Sequence, residues 1–426
     1  MSMARFFYTL LLHLAAPLIA LKLVWRSFKQ PEYLQHLGER FGWYDDARKS
    51  VRPVIWLHAV SVGETRAAQP LVEALQARYP GIPLLITHMT PTGREAAMAL
   101  FGARVLHAYL PYDYPWAVSR FLEHYRPCLG LFIETELWPN LLAACRRRKI
   151  PAGLVNARMS QKSARGYMRL AALTREMLHS LTFVCAQGED DAARLRDLGA
   201  QNVVVCGNIK FDIAPDARLA AQGEQWRSAL AGSRRVLLAA STRDGEEALI
   251  LDAFSAIPEQ QRKDILLVLV PRHPQRFDEA AALIDKTGLV RRRRSIGQFA
   301  DAATQVWLGD SMGEMPAWYA FCDVAFIGGS LLPFGAHNLI EACALGKPVI
   351  IGPSTFNFKE ASSDAIACGA AVQATDAHDL MQQALGLLGN EEERLRKGGA
   401  AREFAARHRG ATQRTMAQIE LRLAVE

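Results

Sequence analysis

The residues of this chain with the chemistry to act on a substrate fall in short polar clusters, each closing an apolar run of strand length. Trp56-Leu-His-Ala-Val-Ser-Val-Gly-Glu64-Thr places a carboxylate at the start of a helix. Glu64 there either takes a proton from a substrate hydroxyl or complements the helix dipole. Ile133-Glu134-Thr-Glu136-Leu-Trp-Pro-Asn140 sets two acids at a strand end, with Pro139 suited to open the next helix. Residues i and i+2 of a strand share a face, so Glu134 and Glu136 could hold Mg²⁺ as an acidic metal motif would. Asn156-Ala-Arg158-Met-Ser160 and Gly207-Asn208-Ile-Lys210-Phe-Asp212 end their strands in the same polar way. Each cluster alone is a weak signal; recurrence at the carboxyl edge of one sheet, where open α/β sheets bind ligands, makes them a site.

The second half repeats the pattern with groups suited to an anion. Ser241-Thr242-Arg243 ends one strand, and Val270-Pro271-Arg272-His273-Pro ends the next, presenting guanidinium and imidazole to a phosphate. Asp310-Ser-Met312-Gly313-Glu314-Met is a turn whose backbone could read a base edge. Gly328-Gly329-Ser330 is followed by Gly335-Ala-His337-Asn338-Leu339-Ile340-Glu341, a flexible loop leading to a helix with Asn338 as its cap. Exposed N–H groups at such a start bind phosphate, and Glu341 stands where it could accept from ribose hydroxyls. Glycine pairs and Asn caps also occur in ordinary turns and helices.

The elements that must position these clusters follow from the periodicity. Apolar runs Val54–Ala59, Pro83–His88, Arg104–Leu110, Cys128–Glu134, Ala152–Asn156, Phe183–Gln187 and Val203–Gly207 alternate with helical patterns such as Glu64–Tyr79, Gly93–Phe101, Trp116–Tyr125 and Leu137–Arg148. A polar, alanine-rich stretch at Ile213–Ser233 interrupts the rhythm. It restarts with Arg235–Ser241, Ile265–Pro271, Leu289–Arg292, Val306–Gly309, Val324–Gly328, Pro348–Ile351 and Ala371–Ala374, and after Asn390 only helix remains. Strands separated by helices predict parallel, doubly wound α/β sheets. The expected organisation is an N-terminal membrane anchor (1–30), a Rossmann-like domain (31–213), a linker (214–233), a second Rossmann-like domain (234–403) and a C-terminal helix (404–426). Pro31–Gly42 reads as a short helix with a glycine end.

Composition agrees with a folded globular chain: 426 residues, 50% hydrophobic, 22% charged and 8% aromatic. The net charge of +7 is too mild for a histone-like protein yet favours an anionic partner. Arg146-Arg-Arg-Lys149 and Arg291-Arg-Arg-Arg294 lack interleaved aromatics, so no nucleic acid is expected. Seven scattered cysteines without a Cys-x-x-Cys pair suit reduced thiols. No Walker A loop, Gly-x-Gly-x-x-Gly or zinc spacing is present, which removes the standard signatures for ATP, NAD and zinc. Phe6–Leu21 is a run of about 16 apolar residues, just short of the ~20 that cross a hydrocarbon core. Arg5, Lys22, Arg26 and Lys29 bracket it with no cleavage site following, so it reads as an anchor that spans the bilayer or lies in its interface, with the body on the cytoplasmic side.

Taken together, HAVSVGE, IETELWPN, NARMS, GNIKFD, PRHPQRF, DSMGEM and GGSLLPFGAHNLIEACALGKPV, in this order behind an apolar N-terminus, resemble the 3-deoxy-D-manno-octulosonic acid (Kdo) transferases of Gram-negative bacteria. The resemblance runs essentially end to end. It implies a GT-B type glycosyltransferase, two Rossmann-like domains facing a cleft. It further implies inverting transfer of Kdo from CMP-Kdo to the lipid A precursor (lipid IVA) at the bacterial inner membrane, with release of CMP. By this resemblance Glu64 is the general base, and Glu134 and Lys210 stabilise the transition state. Pro271 and Arg272, Met312, Gly313 and Glu314, and Asn338, Leu339, Ile340 and Glu341 match segments that bind CMP. The resemblance implies no metal and no cofactor beyond the donor, and it names anionic inner-membrane lipids as partners. The alternative is another membrane-associated GT-B transferase that uses a nucleotide sugar and a polyprenyl or lipid acceptor.

Overall fold

The structure, a computed structural model, describes residues 2–45, 52–213 and 215–423. Residue 1, residue 214 and residues 424–426, which the expected anchor, linker and tail include, lie outside them. The chain forms two compact units, Met1–Ile213 with Arg409–Glu426, and Ala214–His408.

The first unit is built on a seven-stranded sheet of β1 (Val54–His58), β2 (Leu84–His88), β3 (Leu106–Tyr109), β4 (Pro127–Ile133), β5 (Ala152–Ala157), β6 (Phe183–Ala186) and β7 (Val203–Val205). Every pairing is parallel, in the order β3-β2-β1-β4-β5-β6-β7. The order reverses between β1 and β4; Glu64 lies in the first turn of the helix after β1 and Glu134 in the turn after β4, and this is the switch point at which doubly wound sheets bind ligands. Both faces are covered, so β1, β2 and β6 are buried along their whole length and read as continuous apolar runs.

The second unit has β8 (Arg235–Thr242), β9 (Ile265–Pro271), β10 (Arg291–Arg293), β11 (Val306–Leu308), β12 (Val324–Ile327), β13 (Val349–Ile351) and β14 (Ala371–Gln373). These also pair in parallel, in the order β10-β11-β9-β8-β12-β13-β14, with the reversal between β8 and β12. Each expected strand is present in both halves.

The expected boundaries differ from the structure in five places. Residues 214–233 are no free linker: helix Ala217–Leu230 packs on helix Met315–Phe321 of the same unit. An added Cβ at Gly223 would meet the Ala317 carbonyl at 2.1 Å, and Trp226 stacks edge-on against Trp307 at 5.4 Å. Small and polar residues read as a linker here because glycine permits close helix approach.

The tail is two helices, Glu391–His408 in the second unit and Ala411–Glu420 in the first. Gly410 breaks it at φ 88°, a left-handed conformation that glycine adopts freely. Asp212 then caps the new helix, accepting from Gly410 N at 2.6 Å and Thr412 N at 2.5 Å. Met416, Ile419 and Leu423 enter the core of the first sheet, each burial worth ~2 kcal/mol.

The expected helix Glu64–Tyr79 is Val62–Ala67 and Gln69–Arg78, parted at Ala68 just before Pro70. Pro31–Gly42 is two 3₁₀ turns, Pro31–Leu34 and Leu37–Phe41. The N-terminal apolar run is likewise two helices, Met3–Leu14 and Ala16–Lys29, bent by 51°. Among the described residues no single helix is long and apolar enough to cross a membrane. A single anchor helix is therefore not what the structure contains, and Pro17 in the first turn of the second helix accounts for the break.

Candidate active site

In the first unit the loop after β1 reaches the short helix Val62–Ala67 through a reciprocal cap. Ser61 Oγ accepts from Glu64 N at 3.3 Å, while the Glu64 carboxylate accepts from Ser61 N at 3.3 Å and from Val60 N. Two groups beneath hold that loop, the buried His88 and the half-buried Thr90. His88 Nδ1 bonds to the Ala59 carbonyl at 2.9 Å, and Thr90 Oγ1 donates to the Val60 carbonyl at 2.9 Å. Burial lowers His88 to about 3, so the ring is neutral at pH 7 and Nδ1 can donate. Neither His88 nor Thr90 was expected as a site residue from the sequence: His88 is the last residue of an apolar strand, and Thr90 caps helix Pro91–Phe101.

Burial pushes Glu64 up to about 7, opposed by the Val60 N–H and reinforced by the negative charge of Glu134 and Glu136. Glu64 is thus a carboxylate whose proton exchanges near neutrality, which suits a general base. Glu136 is also raised, first by burial and then by Glu134.

Glu134 and Glu136 do not share a strand face, because β4 ends at Ile133 and both acids lie in the turn beyond. Glu134 takes φ 61°, a left-handed conformation uncommon for a residue with a side chain, and Lys210 Nζ donates to its Oε1 at 2.8 Å. The lysine arrives from the turn after β7. There Asn156, itself at φ 52°, accepts from Ile209 N at 3.1 Å, and Asn208 Oδ1 accepts from Lys210 N at 3.0 Å. Asn156 and Asn208 therefore position Lys210. Ser160 caps helix Gln161–Met168, and Asp212 caps the tail helix, so those two members of the polar clusters serve the fold.

In the second unit the carboxyl ends of β8, β9 and β12 gather cations. Arg243 Nη1 donates to His273 Nε2 at 3.0 Å, and its guanidinium lies 4.7 Å from the Phe334 ring centre. Burial, then Arg272, Arg243 and His273, lowers His337 to about 4, and its buried Nε2 has no hydrogen-bond partner among the described residues. Arg272 follows Pro271 on the end of β9, exposed, with its N–H donating to the Thr242 carbonyl at 2.9 Å. Four cationic or imidazole groups with so little acid among them suit an anionic ligand.

The glycines are required here. A Cβ at Gly328 would meet the Ser241 carbonyl at 2.5 Å, and Gly329, at φ 71°, gives His337 and Arg243 room. Glu246, fully buried, accepts from the N–H groups of Arg243, Gly329 and Leu331 at 2.9, 2.6 and 2.9 Å, tying the two loops together. Glu246 is a positioning residue that sequence reasoning passed over as an ordinary acid of a first helical turn.

Asn338 differs from its expected role. The helix begins at Ile340 and is one turn long; Asn338 Oδ1 accepts from Ile340 N at 3.0 Å while Nδ2 donates to Glu341 at 3.1 Å. Leu339 and Ile340 are buried behind this turn. Met312 is exposed and Gly313 takes φ 85° in the turn after β11, where Glu314 pairs with Arg294 at 2.7 Å and accepts from Ser311. The arginine run 291–294 is spent on ion pairs: Arg291 with Asp285, Arg292 with Asp301, Arg293 with Asp278 and Asp310, and Arg294 with Glu314.

Comparison with known proteins gives the family of the chain. Residues 35–213 match the family described as 3-deoxy-D-manno-octulosonic-acid transferase (kdotransferase), and residues 246–404 match glycosyl transferases group 1. The chain is 46% identical to a 3-deoxy-D-manno-octulosonic acid transferase of Bordetella pertussis, over 98% of this chain and 99% of that one. It is 39% identical to the transferase of the same name from Haemophilus influenzae, over 97% of each. In fold it is similar to a glycosyltransferase of Rickettsia africae (TM-score 0.61, 14% identity, 88% of this chain and 100% of that one). A UDP-GlcNAc 2-epimerase of Neisseria meningitidis is similar at TM-score 0.59 and 16% identity, over 87% of this chain and 99% of that one. With identity at this level over nearly its whole length, the chain belongs to the 3-deoxy-D-manno-octulosonic acid transferase family of glycosyltransferases.

Proposed function

We propose that the protein transfers Kdo from CMP-Kdo to a hydroxyl of the lipid A precursor, with inversion and release of CMP, in lipopolysaccharide assembly at the inner membrane. The observation that carries this reading is Glu64, a carboxylate held near neutrality at the switch point of the first sheet beside the Glu134–Lys210 pair. Glu64 takes the acceptor proton as the oxygen attacks the anomeric carbon of Kdo. The bond from that carbon to the phosphate oxygen breaks, its electron pair leaves with CMP, and oxocarbenium character grows on the sugar. Arg272, with Arg243 and His337 beside it, receives the departing phosphate, while Asn338–Glu341 and Met312–Glu314 hold the nucleoside. Lys210, fixed by Glu134, offers its charge to the Kdo carboxylate. The donor is a substrate, and no metal or further cofactor takes part. The N-terminal helices attach the enzyme to the membrane that holds the acceptor.

The test is incubation of the full chain with CMP-Kdo and lipid A precursor, with mass spectrometry of the lipid. Sugar added to the lipid and an equal amount of CMP support the reading; CMP without modified lipid overturns the acceptor. Glu64→Gln should lower turnover ~10²–10⁴-fold while leaving CMP-Kdo affinity nearly unchanged. Turnover within about tenfold of wild type would remove Glu64 as the base.

A further inference from the structure

Helix Gln161–Met168, which follows β5, is built against its own stability. Its first turn holds no acid, and Lys162 stands there at the positive end of the helix dipole. Lys162 and Arg165 are three residues apart, Arg165 and Arg169 four, so the three cations share one face and repel one another along it. Gly166 in the middle lowers helix propensity, and nothing within 4 Å would meet a Cβ there, so packing does not call for a glycine. All three cations are exposed, and none of their side chains has a hydrogen bond or ion pair among the described residues. Nor does the neighbouring sequence supply a counter-charge: residues 137–175 hold nine Lys or Arg and no Asp or Glu. The run 291–294 is the contrast, since each of its arginines is paired within its own unit. Three unpaired like charges on one helix, one of them at the wrong end, call for an anion from outside the chain.

The opposite face fixes where that anion goes. Ala164 is buried in the core of the first unit, and Tyr167 packs against the same core. The Tyr167 hydroxyl donates to the Thr135 carbonyl at 3.3 Å, and Thr135 is the residue between Glu134 and Glu136. Burial and then the charge of Glu136 raise the Tyr167 phenol, which places that acid close by. Ser160 Oγ accepts from Ser163 N at 3.1 Å at the start of the helix, shortly after Ala157 ends β5, so the cationic face begins at the sheet edge that carries the carboxylates. At the far end Met168 and Leu170 are 56% and 63% exposed. Three cations running into two exposed apolar side chains match an amphiphile with a phosphate on its polar part and an acyl chain beyond it. A phosphomonoester, with about 1.5–2 negative charges at pH 7, answers such a cluster better than a phosphodiester does, and the arginine fork pairs two N–H groups with two of its oxygens.

We propose that Lys162, Arg165 and Arg169 form a subsite for a phosphomonoester group of the lipid-borne acceptor, and that they thereby select phosphorylated acceptors and hold them beside the carboxylate cluster. The tether from Tyr167 to Thr135 keeps the subsite in register with Glu134 and Glu136. The identity of the acceptor rests on the transfer reading above; the preference for a phosphomonoester rests on the helix.

The test measures transfer by the full chain in micelles of a nonionic detergent, where no bilayer is present, with the lipid A precursor and with the same lipid after a phosphatase has removed its phosphomonoesters. Lys162→Gln with Arg165→Gln and Arg169→Gln should raise KM for the phosphorylated acceptor at least about tenfold, leave KM for CMP-Kdo and the melting temperature unchanged, and match wild type on the dephosphorylated acceptor. Arg146→Gln with Arg147→Gln and Lys149→Gln, which removes the same charge from the exposed end of helix Pro139–Arg147, should leave both acceptors as in wild type. An equal loss on both acceptors means a structural role, and an equal loss in the two triple variants means general surface charge; each overturns the proposal. So does undiminished selection of the phosphorylated acceptor in the first variant. A first variant unchanged in micelles that no longer binds phosphatidylglycerol vesicles overturns it too, since the cations would then serve bilayer phosphodiesters. A wild type that transfers no sugar removes the transfer reading instead. Retention of the phosphorylated lipid in the same micelles without donor then decides the subsite: weakened about tenfold in the first variant, it stands; unchanged, it falls.

Discussion

Glu64 is the residue on which burial and function act in opposite directions. Its carboxyl is raised from the ordinary 4.5 to about 7 in the folded protein, first by burial and then by Glu134 and Glu136. Between those two values the folded chain binds more protons at this site than the unfolded chain does, so stability falls as pH rises across the window. On the proposed reading of Glu64 as the base, activity runs the other way, because a base must be ionised to accept a proton. We expect the acid limb of kcat/KM for transfer to show an apparent pKa near 7, and to move down when Glu136→Gln removes one of the two neighbouring charges. An acid limb fixed near 4.5 in both proteins would detach the titration from Glu64. The residue types at this site were legible in the sequence, since Glu64, Glu134 and Lys210 each close an apolar run. Their pairing was not: Lys210 and Glu134 are 76 positions apart, and only the adjacency of strand ends joins them. The reading of Glu134 and Glu136 as one face of a strand failed because the strand stops one residue earlier.

At the scale of elements, the glycine loop after β12 shows what a single buried acid does. Glu246 accepts three backbone N–H groups and holds Gly329 against Arg243. Glu246→Gln keeps the volume but offers one acceptor oxygen in place of two, leaving at least one buried N–H without its partner at a cost of ~1–3 kcal/mol. The expected outcome is weaker CMP binding by calorimetry with a lower melting temperature, whereas Glu279→Gln, at an exposed acid of the same unit, leaves both unchanged. Strands such as β1, β2, β6, β9 and β12 were readable because parallel strands covered on both faces are continuous apolar runs. The helices were less so. Pro70 and Pro17 part what the periodicity joins, and Gly223 makes a packed helix read as a linker.

For the whole molecule, the positive excess of +7 is not spread as a nucleic-acid surface. The run 291–294 is spent on ion pairs within its own unit, while Arg243 and Arg272 stand at strand ends and Lys22, Arg26 and Lys29 on the N-terminal helices. The Lys210 ammonium donates to Glu134 at 2.8 Å and so stands where a cation shared with Glu136 would have to bind. Transfer is therefore expected to proceed at its full rate after exhaustive treatment with EDTA; a loss that Mg²⁺ restores would contradict this.

The sequence by itself determined the local order of strand and helix, the two parallel sheets and the polar residues that end the strands, because burial imposes a period and a length on apolar residues wherever they lie. Tertiary structure alone decided which distant strand ends meet, that the tail helix returns to the first unit under the cap of Asp212, and that the N-terminal helix turns its polar face toward the protein. Those outcomes depend on contacts between residues remote in the chain, and a hydrophobic period carries no record of which surface it will face.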